Sequence, residues 1–199
     1  LMSDAQIIAG TQAVGLYTSI HAGLKRHVMI DFETLSTNPN AAVLSLGAVA
    51  FTKEGLTGEE FYVNIDGDDC IKLGLHVSQS TVDWWAKQSQ SAKDALEVDK
   101  KTLLEAMTMF THWVRKIGGT HVFGNGADFD NPILKSCYEA INADTPFKPY
   151  NGRCYRTIKS IPGMPKMSKR EGTHHNALDD AKSQAIHLLE MNGFIKVIE

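Results

Sequence analysis

The chain has 199 residues, 43% hydrophobic and 22% charged, with 20 Lys and Arg against 23 Asp and Glu for a formal net charge of −3. These values exclude a disordered, collagen-like or low-complexity chain and argue against a uniformly basic nucleic-acid coat, yet allow a local basic patch that grips phosphates. The length suits one domain, expected over residues 26–199, with an arm or short helix over 1–25.

From His27 the run HVMIDF predicts a strand, VLSLGAVAF (43–51) a longer one, and EFYVNI (60–65) a third. Short links bearing Gly, Asn and Pro join them as an antiparallel meander. Ser80 and Asp83 stand at capping-box spacing ahead of WWAKQ and predict a helix there. Leu103, Leu104, Met107, Phe110, Val114 and Ile117 recur at three and four, predicting a helix from about 99 to 117 that Gly118-Gly119 stops. HVFGN (121–125) reads as a strand, and Asn131-Pro132 as a helix start with Pro at the first helical position. The proline-bearing stretch 143–173 reads mainly as loop. A last helix spans about 176–191, with Ala177, Ala181, Ala185, Leu188 and Leu189 on one side. Strands first, then strands alternating with helices, predict an α/β fold with a mixed central sheet flanked by helices.

Three acidic stretches stand out. In MIDFETLS (29–36), Asp31 and Glu33 close a strand. Residues i and i+2 of a strand share a face, so the two carboxylates point one way and Phe32 the other. Like charges so placed repel unless a cation lies between them, and clustered oxygen ligands suit Mg²⁺ or Mn²⁺. GNGADFDNPIL (124–134) carries Asp128 and Asp130 between a strand and a helix, and HHNALDDAKSQA (174–185) carries Asp179 and Asp180 at a helix start. Each alone is also explained by turn formation, capping or the helix dipole. Together they form a candidate metal set.

The order D-x-E (31–33), N-x-x-x-F-D (125–130) and H-x-A-x-x-D (175–180) resembles the DEDDh (DnaQ-like) 3′–5′ exonuclease superfamily. The wider text over residues 27 to 191 is similar to its phage and prophage exodeoxyribonuclease VIII-like and 3′–5′ exoribonuclease-like subgroup. The resemblance implies a ribonuclease H-like fold. It also implies that Asp31, Glu33, Asp130 and Asp180 hold two divalent metal ions, Mg²⁺ or Mn²⁺, which clamp the attacking and leaving oxygens of a phosphoryl displacement. His175, five residues before Asp180, is then the general base that takes a proton from the attacking water. His174 is the rival, and the family spacing selects His175. The five residues form the catalytic set, and nucleoside 5′-monophosphates leave from the 3′ end.

Substrate contacts are expected at Thr34 and Leu35, where the family holds the terminal sugar and base, and at Asn125. Trp84 and Trp85 are adjacent on a helix and cannot share one face, so one is expected in the core, and the other, taken as Trp85, stacks on a base. Lys169 and Arg170 precede His175 and suit phosphate contact. Cys154 stands where relatives often carry an acid shortly before an Arg-Thr pair, here Arg156-Thr157, which leaves the part played by Arg156 open. The expected partners are 3′ ends of single-stranded DNA or RNA, with DNA favoured by the phage resemblance; an exoribonuclease or oligoribonuclease is the alternative. A non-catalytic binding module is opposed by the complete set of acids and histidine, and an endonuclease by the H-x-A-x-x-D motif. Cys70, Cys137 and Cys154 are odd in number and widely spaced, as free thiols are. With no membrane-length apolar run and no signal-peptide pattern, the expected location is cytoplasmic, within a bacterial host cell if phage-encoded.

Overall fold

A computed structural model describes residues 20–168, 170, 172 and 175–199; the expected arm over 1–25 lies mostly outside them, as do Lys169 and His174. Five strands form one sheet in the order β3-β2-β1-β4-β5. They are β1 (Arg26–Thr34), β2 (Val43–Thr52), β3 (Gly55–Asn64), β4 (Gly119–Gly124) and β5 (Gly152–Cys154). The first three are the expected antiparallel meander, and β4 and β5 join the other edge of β1 in parallel. The α/β expectation of a mixed sheet flanked by helices holds.

The helices are α1 (Gly67–Lys72), α2 (Gln79–Ala86), α3 (Gln90–Leu96), α4 (Leu103–Ile117), α5 (Asp130–Ala140), α6 (Tyr155–Lys159) and α7 (Ala177–Asn192). One face of the sheet packs on α4 and α5, burying Val28, Ile30 and Phe32 of β1 with Phe110, Val114, Ile133 and Leu134. The other face packs on α7, burying Met29, Val49 and Phe51 with Ala181, Ala185 and Leu188. Strand period two therefore sends β1 into two different environments.

Four sequence expectations need correction. The cap of α2 is Ser78, whose hydroxyl accepts the Thr81 N–H, while Asp83 accepts from the Gln79 amide instead of closing a box with Ser80. α4 starts at Leu103, not near 99, because Thr102 and Glu105 form the capping box there, and Gly118 closes it at φ 69°. Pro132 is the third residue of α5, a position still within the first turn where an N–H has no helical partner. Within 143–173, β5 and α6 interrupt the expected loop.

The seat of α7 depends on Gly47. It pairs with Asp31 across β1 and β2, and a Cβ there would lie 2.2 Å from the backbone of Ala177 and Leu178. Only a residue without a side chain lets the first turn of α7 lie directly on the sheet. Asn176 caps that turn by accepting the Leu178 and Asp179 N–H groups.

Candidate active site

The carboxyl ends of β1 and β4 open onto a cleft of about 490 Å³. β1 leads away to β2 on one side while β4 lies on its other side, and α/β sheets bind ligands where connections diverge in this way. Asp31, Glu33, Thr34, Asn125, Trp84, Trp85, Arg170, His175 and Asp180 all line the cleft, so elements far apart in sequence meet there. Leu35 does not line it: its side chain packs against the apolar core beside Gly67.

The four acids are held differently. Asp130, fully buried, starts α5 and accepts the N–H of Phe32 at 3.2 Å and of Asn125 at 2.6 Å. It ties the end of β1 to the turn after β4. Asp31 accepts one bond, at 2.7 Å, from the amide of Gln184 on α7. Asp180 accepts the His175 N–H at 3.2 Å and the Arg170 guanidinium at 2.5 Å. Glu33 is only 8% exposed. A ring nitrogen of His175 and one carboxylate oxygen each from Glu33 and Asp180 lie within 4.8 Å of one another.

Crowding of like charges under burial marks the acids. Burial, then Asp130 and Glu33, pushes the Asp31 carboxyl well above the usual carboxylate range, against the bond from Gln184. Glu33 rises to about 8 through burial and its neighbours Asp180 and Asp130. Asp130 rises to about 6 through burial, with the N–H groups of Asn125 and Phe32 and the Arg156 charge opposing. Such a set of buried hard oxygen donors is short of positive charge and fits divalent cations.

His175 has a positive φ of 64°, sparsely populated for a side-chain-bearing residue, so its ring is presented to the cleft against local backbone preference. The Trp84 ring meets it edge-on, with centroids 4.9 Å apart, and meets Trp85 at 5.0 Å. Both tryptophans reach the cleft, which adjacent helical positions did not suggest. Trp85 is buried and donates its indole N–H to the Thr34 carbonyl at 2.8 Å, whereas Trp84 is 38% exposed. The Thr34 hydroxyl donates to the Ser36 carbonyl. Asp128 is exposed and outside the cleft lining. Gln184 belongs to none of the acidic motifs, although its spacing of four from Asp180 puts it on the same helix face.

A model of the 3′–5′ exoribonuclease Rv2179c-like domain matches residues 26–191. The chain belongs to this family. It is a 3′–5′ exonuclease with a ribonuclease H-like DEDDh fold. None of the curated proteins matches it in sequence. Among solved structures it is similar to the nuclease domain of 3′hExo, a DEDDh family member bound to rAMP, with TM-score 0.62 and 13% identity, over 89% of this chain and 96% of that one. The Mg²⁺- and Mn²⁺-bound form of S. pombe Pop2p gives 0.53 and 12%, over 93% and 89%. E. coli Exonuclease I with a dT13 oligonucleotide gives 0.55 and 11%, over 87% of this chain and 41% of that one. At these identities the structural likeness speaks for the fold.

Proposed function

We propose that the protein removes nucleotides singly from the 3′ end of single-stranded nucleic acid, releasing nucleoside 5′-monophosphates. The observation that carries this reading is that Asp31, Glu33, Asp180 and His175 line one cleft, with buried Asp130 bonded to the backbone of Phe32 and Asn125 directly behind it. The four carboxylates would hold two divalent metal ions, Mg²⁺ or Mn²⁺. Bound there, the ions supply electrostatic stabilisation of the charge that builds on the phosphate in flight. Asp130 fixes the geometry of the set through its two backbone bonds, and Gln184 orients Asp31. His175 takes the proton of the attacking water, its ring presented by a strained backbone next to Glu33 and Asp180.

Thr34 at the cleft floor is the expected recognition point for the terminal sugar, and Trp85 braces it through the Thr34 carbonyl. Trp84, the more exposed of the pair, offers the face for base stacking. Arg170, paired with Asp180 here, would be a phosphate donor at the cleft wall with a divalent ion held by Asp180. The family description supports RNA as the polymer. DNA is the second reading, supported by the phage-type resemblance and by the oligonucleotide bound to the Exonuclease I neighbour.

The test is incubation of 3′-labelled and 5′-labelled single-stranded RNA and DNA with Mg²⁺ or Mn²⁺. Release of the 3′ label as mononucleotide, abolished in Asp31→Ala and His175→Ala, is expected. Internal cleavage, or full activity in Asp31→Ala, would overturn the reading, and the ratio of rates on the two polymers decides the substrate.

A further inference from the structure

One basic patch lies beside the cleft. Arg156 and Lys159 lie one turn apart on α6, both exposed, and neither forms an ion pair among the described residues. The Arg156 Nε–H donates weakly to Asn125 Oδ1 at 3.5 Å, and Asn125 is part of the cleft wall. Its guanidinium lies 3.5 Å from where a Cβ on Gly126 would stand, which places the side chain along the turn that follows β4. Lys159 is held 4.9 Å from the centroid of the Tyr155 ring, on the same small helix. Burial, then Arg156, then Arg170 lowers the Lys159 ammonium below its usual range, a sign that three cations share one neighbourhood.

In a chain with net charge −3, two exposed cations side by side with no ion-pair partner among the described residues stand out, the acid that feels Arg156 being buried Asp130. Guanidinium and ammonium groups donate and never accept, so the complementary ligand is anionic, and oxygen-rich phosphate suits both. The Asn125 contact makes the patch continuous with the cleft.

We propose that Arg156 and Lys159 bind backbone phosphates of the nucleotides upstream of the scissile one, so that a single-stranded substrate leaves the cleft past Asn125 and over α6. This rests on the exonuclease reading and extends it to the path of the polymer. α6 thereby acts as the grip that keeps the shortened strand in place between cuts.

Binding of a fluorescent single-stranded oligonucleotide in EDTA, over a series of NaCl concentrations, tests the grip without turnover. Each lost phosphate contact lowers the slope of log K against log[salt] by about 0.7 for a single strand, so Arg156→Ala/Lys159→Ala is expected to lose about 1.4 and bind on the order of tenfold more weakly. Arg156→Lys should keep most of the slope, since a point charge suffices, whereas a role confined to bonding Asn125 would not survive that change. A slope unchanged in the double variant would overturn the proposal. In Mg²⁺, the same variant should lose the gain in kcat/KM from dinucleotide to hexanucleotide through KM. Failure of the exonuclease reading looks different: the unmodified protein would cleave no oligonucleotide while the salt slopes still differed.

Discussion

The two faces of β1 differ in what they bury. Toward α4 and α5, Val28, Ile30 and Phe32 enter an apolar core with exposures of 0 to 3%. Toward α7, buried Met29 is followed by half-buried Asp31 and buried Glu33, both charged when ionised. Successive residues of one strand thus serve opposite ends: one face contributes stability and the other spends part of it on a cluster of acids that repel one another. Catalytic sites commonly hold such opposed groups, and the apolar face supplies the margin that tolerates them.

The sharpest way to split the faces is to change neighbouring residues. Asp31→Ala should lower kcat/KM by several kcal/mol of transition-state stabilisation, on the order of a thousandfold, while the protein stays folded. Phe32→Ala should instead cost about 3–5 kcal/mol of stability by denaturant titration, through lost burial and a cavity. Equal stability loss in both would erase the contrast.

Next in size is the pH dependence of Glu33. Its folded value of about 8 lies above the ordinary 4.5, so the folded state holds a proton that the unfolded state releases between those values. The resulting destabilisation is absent below pH 4.5, grows as pH rises, and is complete above about 8. Glu33→Gln should therefore stabilise the metal-free protein by a few kcal/mol, roughly 5–10 °C in Tm, at pH 8 and hardly at pH 5. A pH-independent gain would mean that repulsion is not its origin. Added Mg²⁺ should raise the Tm of the unmodified protein more than that of the variant.

Gly47→Ala tests the α7 face alone. The new methyl meets backbone rather than a movable side chain, so a loss of about 1–3 kcal/mol together with reduced kcat is expected from activity and thermal melts. The smallest effect belongs to the other face: Thr102→Ala removes the cap of α4 and should cost about 1 kcal/mol with unchanged activity.

The same contrast governs what could be read without a structure. β1 to β3, α4 and α7 announce themselves through long periodic runs whose burial repeats regularly. β5, with three residues, and α6, with five, are too short to show a period; pairing with β4 and the Cys154 cap, whose sulfur accepts the Thr157 N–H, define them. The acids were legible because D-x-E and H-x-A-x-x-D keep fixed local spacing. Gln184 was not, since a glutamine in a helix is ordinarily a surface residue and its role depends on α7 crossing Asp31. Which of Trp84 and Trp85 is the buried one was hidden for a similar reason: exposure is decided by how α2 lies on Thr34, which no periodicity within the helix encodes.

The docking of α7 on Gly47 also sets an order in time. Asp31 and Glu33 leave the ribosome before His175 and Asp180, which are made more than 140 residues later. Until the last helix has emerged and settled on the sheet, a nascent chain carries only part of the acidic set.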